Sequence, residues 1–159
     1  MFLDPLLIPI YAETISHSLV IIDGLNEPYY DGLFAAYKGR LGRLHEKIAE
    51  ETQRIPAQNR PLIVAERNSL IHFANRYGLG IAGTLDDNGE DGLRGVIEQR
   101  HPPAVFVEAG ADLVPLKSLA DEAGIKTCEV STDTVTSTSV TYIGMMEHNT
   151  EQIVACLGG

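Results

Sequence analysis

Tryptophan is absent, cysteine occurs twice, and only 12 Lys and Arg stand against 22 Asp and Glu, for a net charge of −10. Each shortage excludes something. A surface that neutralises phosphates needs clustered cations, and the few here are dispersed, so no nucleic acid is expected as a partner. Cys128 and Cys156 are too few for a disulfide framework, and neither lies in a CxxC pair or near a His at ligand spacing. Both read as buried free thiols. No run of 18 apolar residues exists, so no helix is expected to span a membrane. The opening stretch, residues 1 to 9, has neither a basic n-region nor a small-residue cleavage site and does not read as a signal peptide; an exported form would be a longer chain.

What is present is a foldable domain. A chain of 159 residues with 44% hydrophobic content can bury roughly two thirds of its unfolded surface around one core. Residues 10 to 23 read as a short helix. Asn26-Glu27-Pro28 opens a longer one, with Asn26 as N-cap and Pro28 in the first turn. Leu33, Tyr37, Leu41, Leu44 and Ile48 step by three or four and form one apolar stripe, opposite a charged face that reads as solvated. Leu19 to Ile22 and Leu25 crowd beside this stripe, more apolar surface than one sheet face covers. The hairpin is therefore expected to pack against another lobe or another subunit, as a homo-oligomer in the latter case.

After Ile55-Pro56 the pattern changes to short apolar runs, each followed by a helical segment. That alternation predicts an α/β fold: a helical hairpin with one long connecting helix, then a lobe with a four-stranded parallel sheet and helices on both faces. Candidate strands are 61 to 65, 79 to 83, 104 to 107 and 126 to 130, with helices over 68 to 77, 90 to 100, 113 to 123 and 142 to 157. A boundary near residue 57 would separate the hairpin (1–57) from the lobe (58–159).

In an open parallel sheet, ligands bind beyond the carboxyl ends of the strands. Glu66 and Arg67 follow the first strand, Glu108 the third, and Asp133 the fourth, so three carboxylates and a guanidinium are expected at one edge. Carboxylates can hold a divalent ion, but a guanidinium has no lone pair to donate, repels the ion and pairs with a carboxylate instead. An Arg67–Asp133 ion pair is the simplest reading. His72 reads as a helix-packing residue, Ser69 as a helix cap, and no two His stand at i+3 or i+4. Catalytic signatures are missing too: no GxSxG, Walker A, HExxH, or GxGxxG after a strand. The run Thr132 to Ser139 reads as a polar loop whose hydroxyls serve the backbone.

Ordered landmarks carry a resemblance. Leu62-Ile63-Val64-Ala65-Glu66-Arg67, Ala104-Val105-Phe106-Val107-Glu108, Ser131-Thr132-Asp133-Thr134 and Thr141-Tyr142-Ile143-Gly144-Met145-Met146-Glu147-His148-Asn149 together resemble the C-terminal lobe and connecting helix of the metal-binding receptors of zinc and manganese ABC importers. Such receptors have two α/β lobes joined by a long helix and clamp a metal between them. The resemblance implies a binding protein without enzymatic turnover, zinc or manganese as cargo, an ABC permease as partner, and an extracytoplasmic, periplasmic or cell-surface location, with cell adhesion among the family's roles. It places the family's Asp-Pro-His-x-Trp motif on Asp4-Pro5-Leu6-Leu7-Ile8, so that Leu6 stands where a His ligand would. The first ligand of the C-lobe falls on Arg67 and the second on Asp133. Glu108 matches a supporting Glu, and Glu66 could substitute for the lost ligand by a one-residue slip. The implied function is a solute-binding receptor domain with a degenerate metal site. The alternative is a structural or interaction domain in which the Arg67–Asp133 pair replaces the metal.

Overall fold

A computed structural model of the chain describes residues 3–110, 114–132 and 141–158. Helix α1 (Ile8–Ile22) begins with Pro9 in its first turn, and the Asp23 amide closes it by donating to the Leu19 carbonyl. A 3-10 turn at Gly24–Asn26 then leads into α2 (Glu27–Thr52), where Pro28 starts the helix because its missing N–H would have had no intrahelical acceptor. Asn26 occupies the N-cap position but does not cap with its side chain. Its amide donates instead to Asp23 Oδ2 at 2.8 Å, as does the Tyr30 hydroxyl at 2.9 Å.

The sheet is formed by β1 (Ile63–Ala65), β2 (Ile81–Thr84), β3 (Ala104–Glu108) and β4 (Lys126–Val130), all parallel, in the order β2-β1-β3-β4. Crossover helices α3 (Ile71–Tyr77), α4 (Leu85–Arg100) and α5 (Val114–Ala123) connect them, and α6 (Tyr142–Leu157) closes the described chain. Helices cover both faces. On one, Leu41, Leu44 and Ile48 of α2 join Phe73 of α3 and Met146 and Ile153 of α6 against Ile63 and Phe106. On the other, Leu93 and Ile97 of α4 and Leu116 and Leu119 of α5 cover Val64, Val105 and Val107. Alternate residues of β1 and β3 thus enter different cores, which is why these strands read as unbroken apolar runs. The expected α/β architecture is observed.

Several local expectations need correction. The helix expected at 90 to 100 begins at Leu85, because Thr84 caps it: Thr84 Oγ1 accepts from the Asp87 amide at 3.1 Å and donates to Asp87 Oδ2 at 2.8 Å. Gly89 interrupts that first turn at φ 65°, ψ 175°, a conformation open to glycine, and this break hides the capped turn from a periodicity argument. His72 is exposed and packs into no core. Ser69 lies inside a short 3-10 turn, Asn68–Leu70, and neither that turn nor α3 has a side-chain cap.

The cysteines are the main correction. Cys128 of β4 and Cys156 of α6 are joined in a disulfide rather than standing as two thiols. Both are buried, so burial was a sound inference and pairing was not. Their 28-residue separation concealed a contact made by the return of α6 across the sheet.

No described helix is long and apolar enough to cross a membrane. The hairpin does expose the apolar surplus read from its sequence: Ile15, Ile21, Ile22, Leu25, Tyr29 and Leu33 are all more than half exposed. The α2 stripe is buried only from Leu41 onward, where the lobe reaches it.

Candidate functional site

The crossovers leave β1 toward β2 on one side and return to β3 on the other, so a crevice opens beyond the carboxyl ends of β1 and β3. Glu66 follows β1 directly, and its amide donates to the Phe106 carbonyl of β3 at 3.2 Å. Its carbonyl accepts from the Asp86 amide at 3.2 Å, which fixes the start of α4 beside it. Glu66 is therefore held by backbone bonds to two neighbouring elements. Its side chain is only 15% exposed, and Oε2 is buried with no hydrogen-bond partner.

Arg67 stands next, in extended backbone ahead of the Asn68 turn. Its Nε lies 3.9 Å from Glu66 Oε1 and 4.0 Å from Asp86 Oδ2, both at the outer limit of an ion pair. The guanidinium is 60% exposed, so each contact is weak and screened by solvent. Sequence reasoning missed Asp86 as a neighbour of Arg67. The signal was present as Thr84-x-x-Asp87, a capping-box spacing that starts a helix immediately after β2 and brings Asp86 to the sheet edge.

Across the crevice, Glu108 ends β3, and its Oε2 accepts from Thr132 Oγ1 at 3.2 Å. The Thr132 hydroxyl thus serves a side chain at the site edge, whereas the loop reading had assigned it to backbone. One residue earlier, Ser131 is gripped by Asn149 of α6: Oδ1 accepts from the Ser131 amide at 2.9 Å and Nδ2 donates to its carbonyl at 2.6 Å. Both groups are buried. Asn149 holds the chain as it leaves β4, a positioning role that no local motif announces.

Asp133, and with it the expected Arg67–Asp133 pair, lies outside the described residues, as does the rest of the run to Ser139. Among the described residues, no three His, Cys, Asp or Glu side chains form a group able to hold a metal ion. The described donors do not fit a metal: Glu66 offers one buried oxygen, and the neighbouring side chain is a cation with no lone pair. Leu6 is 39% exposed and brings no donor. Beside it, Asp4 is buried and receives Arg76 Nε on both carboxylate oxygens, at 3.1 and 3.0 Å, and Arg76 Nη2 on Oδ2 at 2.7 Å. Asp4 Oδ1 also accepts from the Leu6 amide at 3.1 Å. The first residue of the Asp-Pro motif is thus a structural anchor, fully engaged.

Comparison with known proteins agrees with this architecture. Residues 1–156 match the family described as zinc-uptake complex component A, periplasmic (ZnuA). The manganese-binding lipoprotein MntA of Halalkalibacterium halodurans is 30% identical over 159 residues, covering 92% of this chain and 53% of that protein. The manganese ABC transporter substrate-binding lipoprotein PsaA of Streptococcus pneumoniae is 27% identical over 156 residues, 91% of this chain and 50% of that one. The chain therefore spans about half the length of these relatives. In structure, the periplasmic zinc-binding protein TroA of Treponema pallidum superposes with a TM-score of 0.87 at 22% identity, over 99% of this chain and 63% of that one. The laminin-binding protein Lmb of Streptococcus agalactiae gives 0.85 at 18% identity, over 99% and 63%. The described residues share the fold of these structures, and with a family match over residues 1–156 the chain belongs to the ZnuA family of metal ABC transporter substrate-binding proteins and covers its C-terminal lobe.

Proposed function

We propose that the chain is the connecting helix and C-terminal lobe of a metal-receptor-like solute-binding protein of an ABC importer, with a degenerate metal site. It acts by binding, without turnover, in an extracytoplasmic compartment beside the importer's permease. The observation that carries the reading is Arg67, which stands beside the largely buried Glu66 at the carboxyl end of β1, where the family resemblance expects a metal donor. A permanent cation at that point repels a divalent ion and has no lone pair to donate to it. Asp133 and, more weakly, Glu66 are the remaining donor candidates, with zinc or manganese as the cargo that the relatives suggest. The Cys128–Cys156 disulfide supports the compartment, because such bonds persist in oxidising surroundings.

Calorimetric titration of the 159-residue chain with zinc and with manganese at neutral pH is the test. No binding below the micromolar range is expected. Sub-micromolar binding would overturn the degenerate site while leaving family membership intact.

A second reading is a structural or interaction domain in which an Arg67–Asp133 pair has replaced the metal. The exposed apolar hairpin favours it. Asp133→Ala separates the two: lost stability with no change in ligand binding supports the interaction domain, and the reverse supports the receptor.

A further inference from the structure

The junction of β2 and α4 holds a side chain poised against its own backbone. Asn88 is the only asparagine of the chain that precedes a glycine; Asn26, Asn59, Asn68, Asn75 and Asn149 all precede larger residues. Its Oδ1 accepts from the Thr84 amide at 3.0 Å. Gly83 leaves room for this contact, because a Cβ there would stand 3.0 Å from Asn88 Oδ1. The side-chain carbonyl is thus seated on the end of the strand, with a fixed N–H donor on its oxygen. On its other side lies Gly89, at φ 65°, ψ 175°, outside helical values although α4 continues past it.

These details favour one reaction. In an Asn-Gly sequence the glycine nitrogen can attack the preceding side-chain Cγ, since no Cβ obstructs it, and a five-membered imide forms. A regular helix suppresses the step, because closing the ring turns the peptide about the asparagine Cα–C bond and disrupts the hydrogen-bonded ladder. Here the helical backbone is already interrupted at the residue whose nitrogen must move. Attack places negative charge on Oδ1, where the Thr84 N–H stands ready to receive it, as an oxyanion donor does. All of these contacts lie between Gly83 and Gly89, so they are the same whatever covers the hairpin.

We propose that Asn88–Gly89 is a site of self-modification, at which the Gly89 nitrogen closes on Asn88 Cγ and the asparagine is converted to aspartate and isoaspartate. The Gly89 N–H gives its proton to solvent base as the N–Cγ bond forms, and the Cγ–Nδ2 bond then breaks, with Nδ2 leaving as ammonia. Water, the one co-reactant, adds to either carbonyl of the imide. Breaking the N–Cγ bond gives an aspartate, and breaking the original peptide bond gives an isoaspartate whose chain runs through the side chain. Either product adds one negative charge to the turn that sets Asp86 4.0 Å from Arg67.

Peptide mapping by mass spectrometry is the experiment, on the 159-residue chain kept folded at neutral and at mildly alkaline pH, with the same chain unfolded in guanidinium chloride beside it. Asn88 is expected to convert at least about tenfold faster than Asn68, which precedes Ser69. The rate should be no lower in the fold than in the unfolded chain, and higher at the alkaline pH. Hydroxylamine, which intercepts the imide, should split the chain after residue 88. Asn88→Asp keeps an acceptor for the Thr84 amide and should abolish the fast release of ammonia. A folded rate below the unfolded one, conversion no faster than at Asn68, or fast ammonia release persisting in Asn88→Asp would each overturn the proposal.

Discussion

Asp4 and Arg76, 72 positions apart, meet in a two-pronged ion pair that ties the start of the chain to α3. The Asp4 side chain is 5% exposed while the guanidinium is 36% exposed, so one end of the pair is dry and the other reaches solvent. Arg76→Ala would leave a buried carboxylate short of its cation. After discounting for screening at the guanidinium, a loss of about 1–2 kcal/mol is expected in urea denaturation. Arg76→Lys should recover only part of it, since an ammonium cannot reproduce the fork.

The disulfide sets a second expectation. Closing a loop over 28 residues restricts the unfolded chain by about 3–4 kcal/mol in the chain-entropy account. Urea midpoints with and without reductant should differ accordingly, and Cys128→Ala/Cys156→Ala should match the reduced protein. Thiol titration of the unreduced, denatured chain should find no free thiol.

Stability should fall on the alkaline side. Tyr77 and Tyr142 have their phenol pKa values pushed well above the usual 10.0, first by burial and then by neighbouring groups that include Asp4; Arg76 opposes the shift at Tyr77. The folded state therefore holds these protons more tightly than the unfolded chain. Their contribution is fully present below pH 10 and is lost as pH rises beyond it, by up to about 1.4 kcal/mol per pH unit for each phenol. Denaturation series from pH 8 to 11 would reveal the slope. Tyr142→Phe should flatten it and, because the Tyr142 hydroxyl is buried without a partner, cost nothing at neutral pH.

Asn149 satisfies both backbone groups of Ser131, so Asn149→Ala would strand a buried donor and acceptor. A loss of about 2–3 kcal/mol is expected in thermal or urea unfolding. Asn149→Asp can still accept from the amide but cannot donate to the carbonyl, and should fall between.

Arg67→His exchanges a cation for a donor beside Glu66. If the guanidinium is what opposes a divalent ion, calorimetry should find zinc affinity at least tenfold higher than in the unchanged protein. Equal affinity would assign the defect elsewhere, for instance to Leu6.

The centre of the sheet was legible because β1 and β3 are buried on both sides: Ile63-Val64-Ala65 and Ala104 to Val107 show continuous apolar runs that periodicity cannot misplace by more than a residue or two. The α2 stripe was equally plain, since Leu41, Leu44 and Ile48 recur at helical spacing. What escaped was non-local. Cys128 finds Cys156 and Asp4 finds Arg76 only after crossovers fold distant segments together, and neither leaves a local pattern, whereas the approach of Arg67 to Asp86 had a local sign in the Thr84-x-x-Asp87 cap. The candidate site was legible as a set of strand-end positions, with Glu66, Arg67 and Glu108 all at the expected edge. Its pairings were not, because they depend on where α4 begins and on how α6 grips Ser131.

Helix α6 is fastened to β4 by Cys156 to Cys128 and to the residue that follows the strand by Asn149 to Ser131. The seven residue steps from Asn149 to Cys156 rise about 10 Å along the helix, and the three steps from Cys128 to Ser131 also advance about 10 Å in extended chain. The attachments thus form a near-parallelogram with two equal rails and two cross-members, one covalent and one hydrogen-bonded. Sliding the helix along the strand strains both cross-members together, and swinging it away about one loads the other. The edge of the sheet and its covering helix are therefore braced against one another at both ends of this stretch.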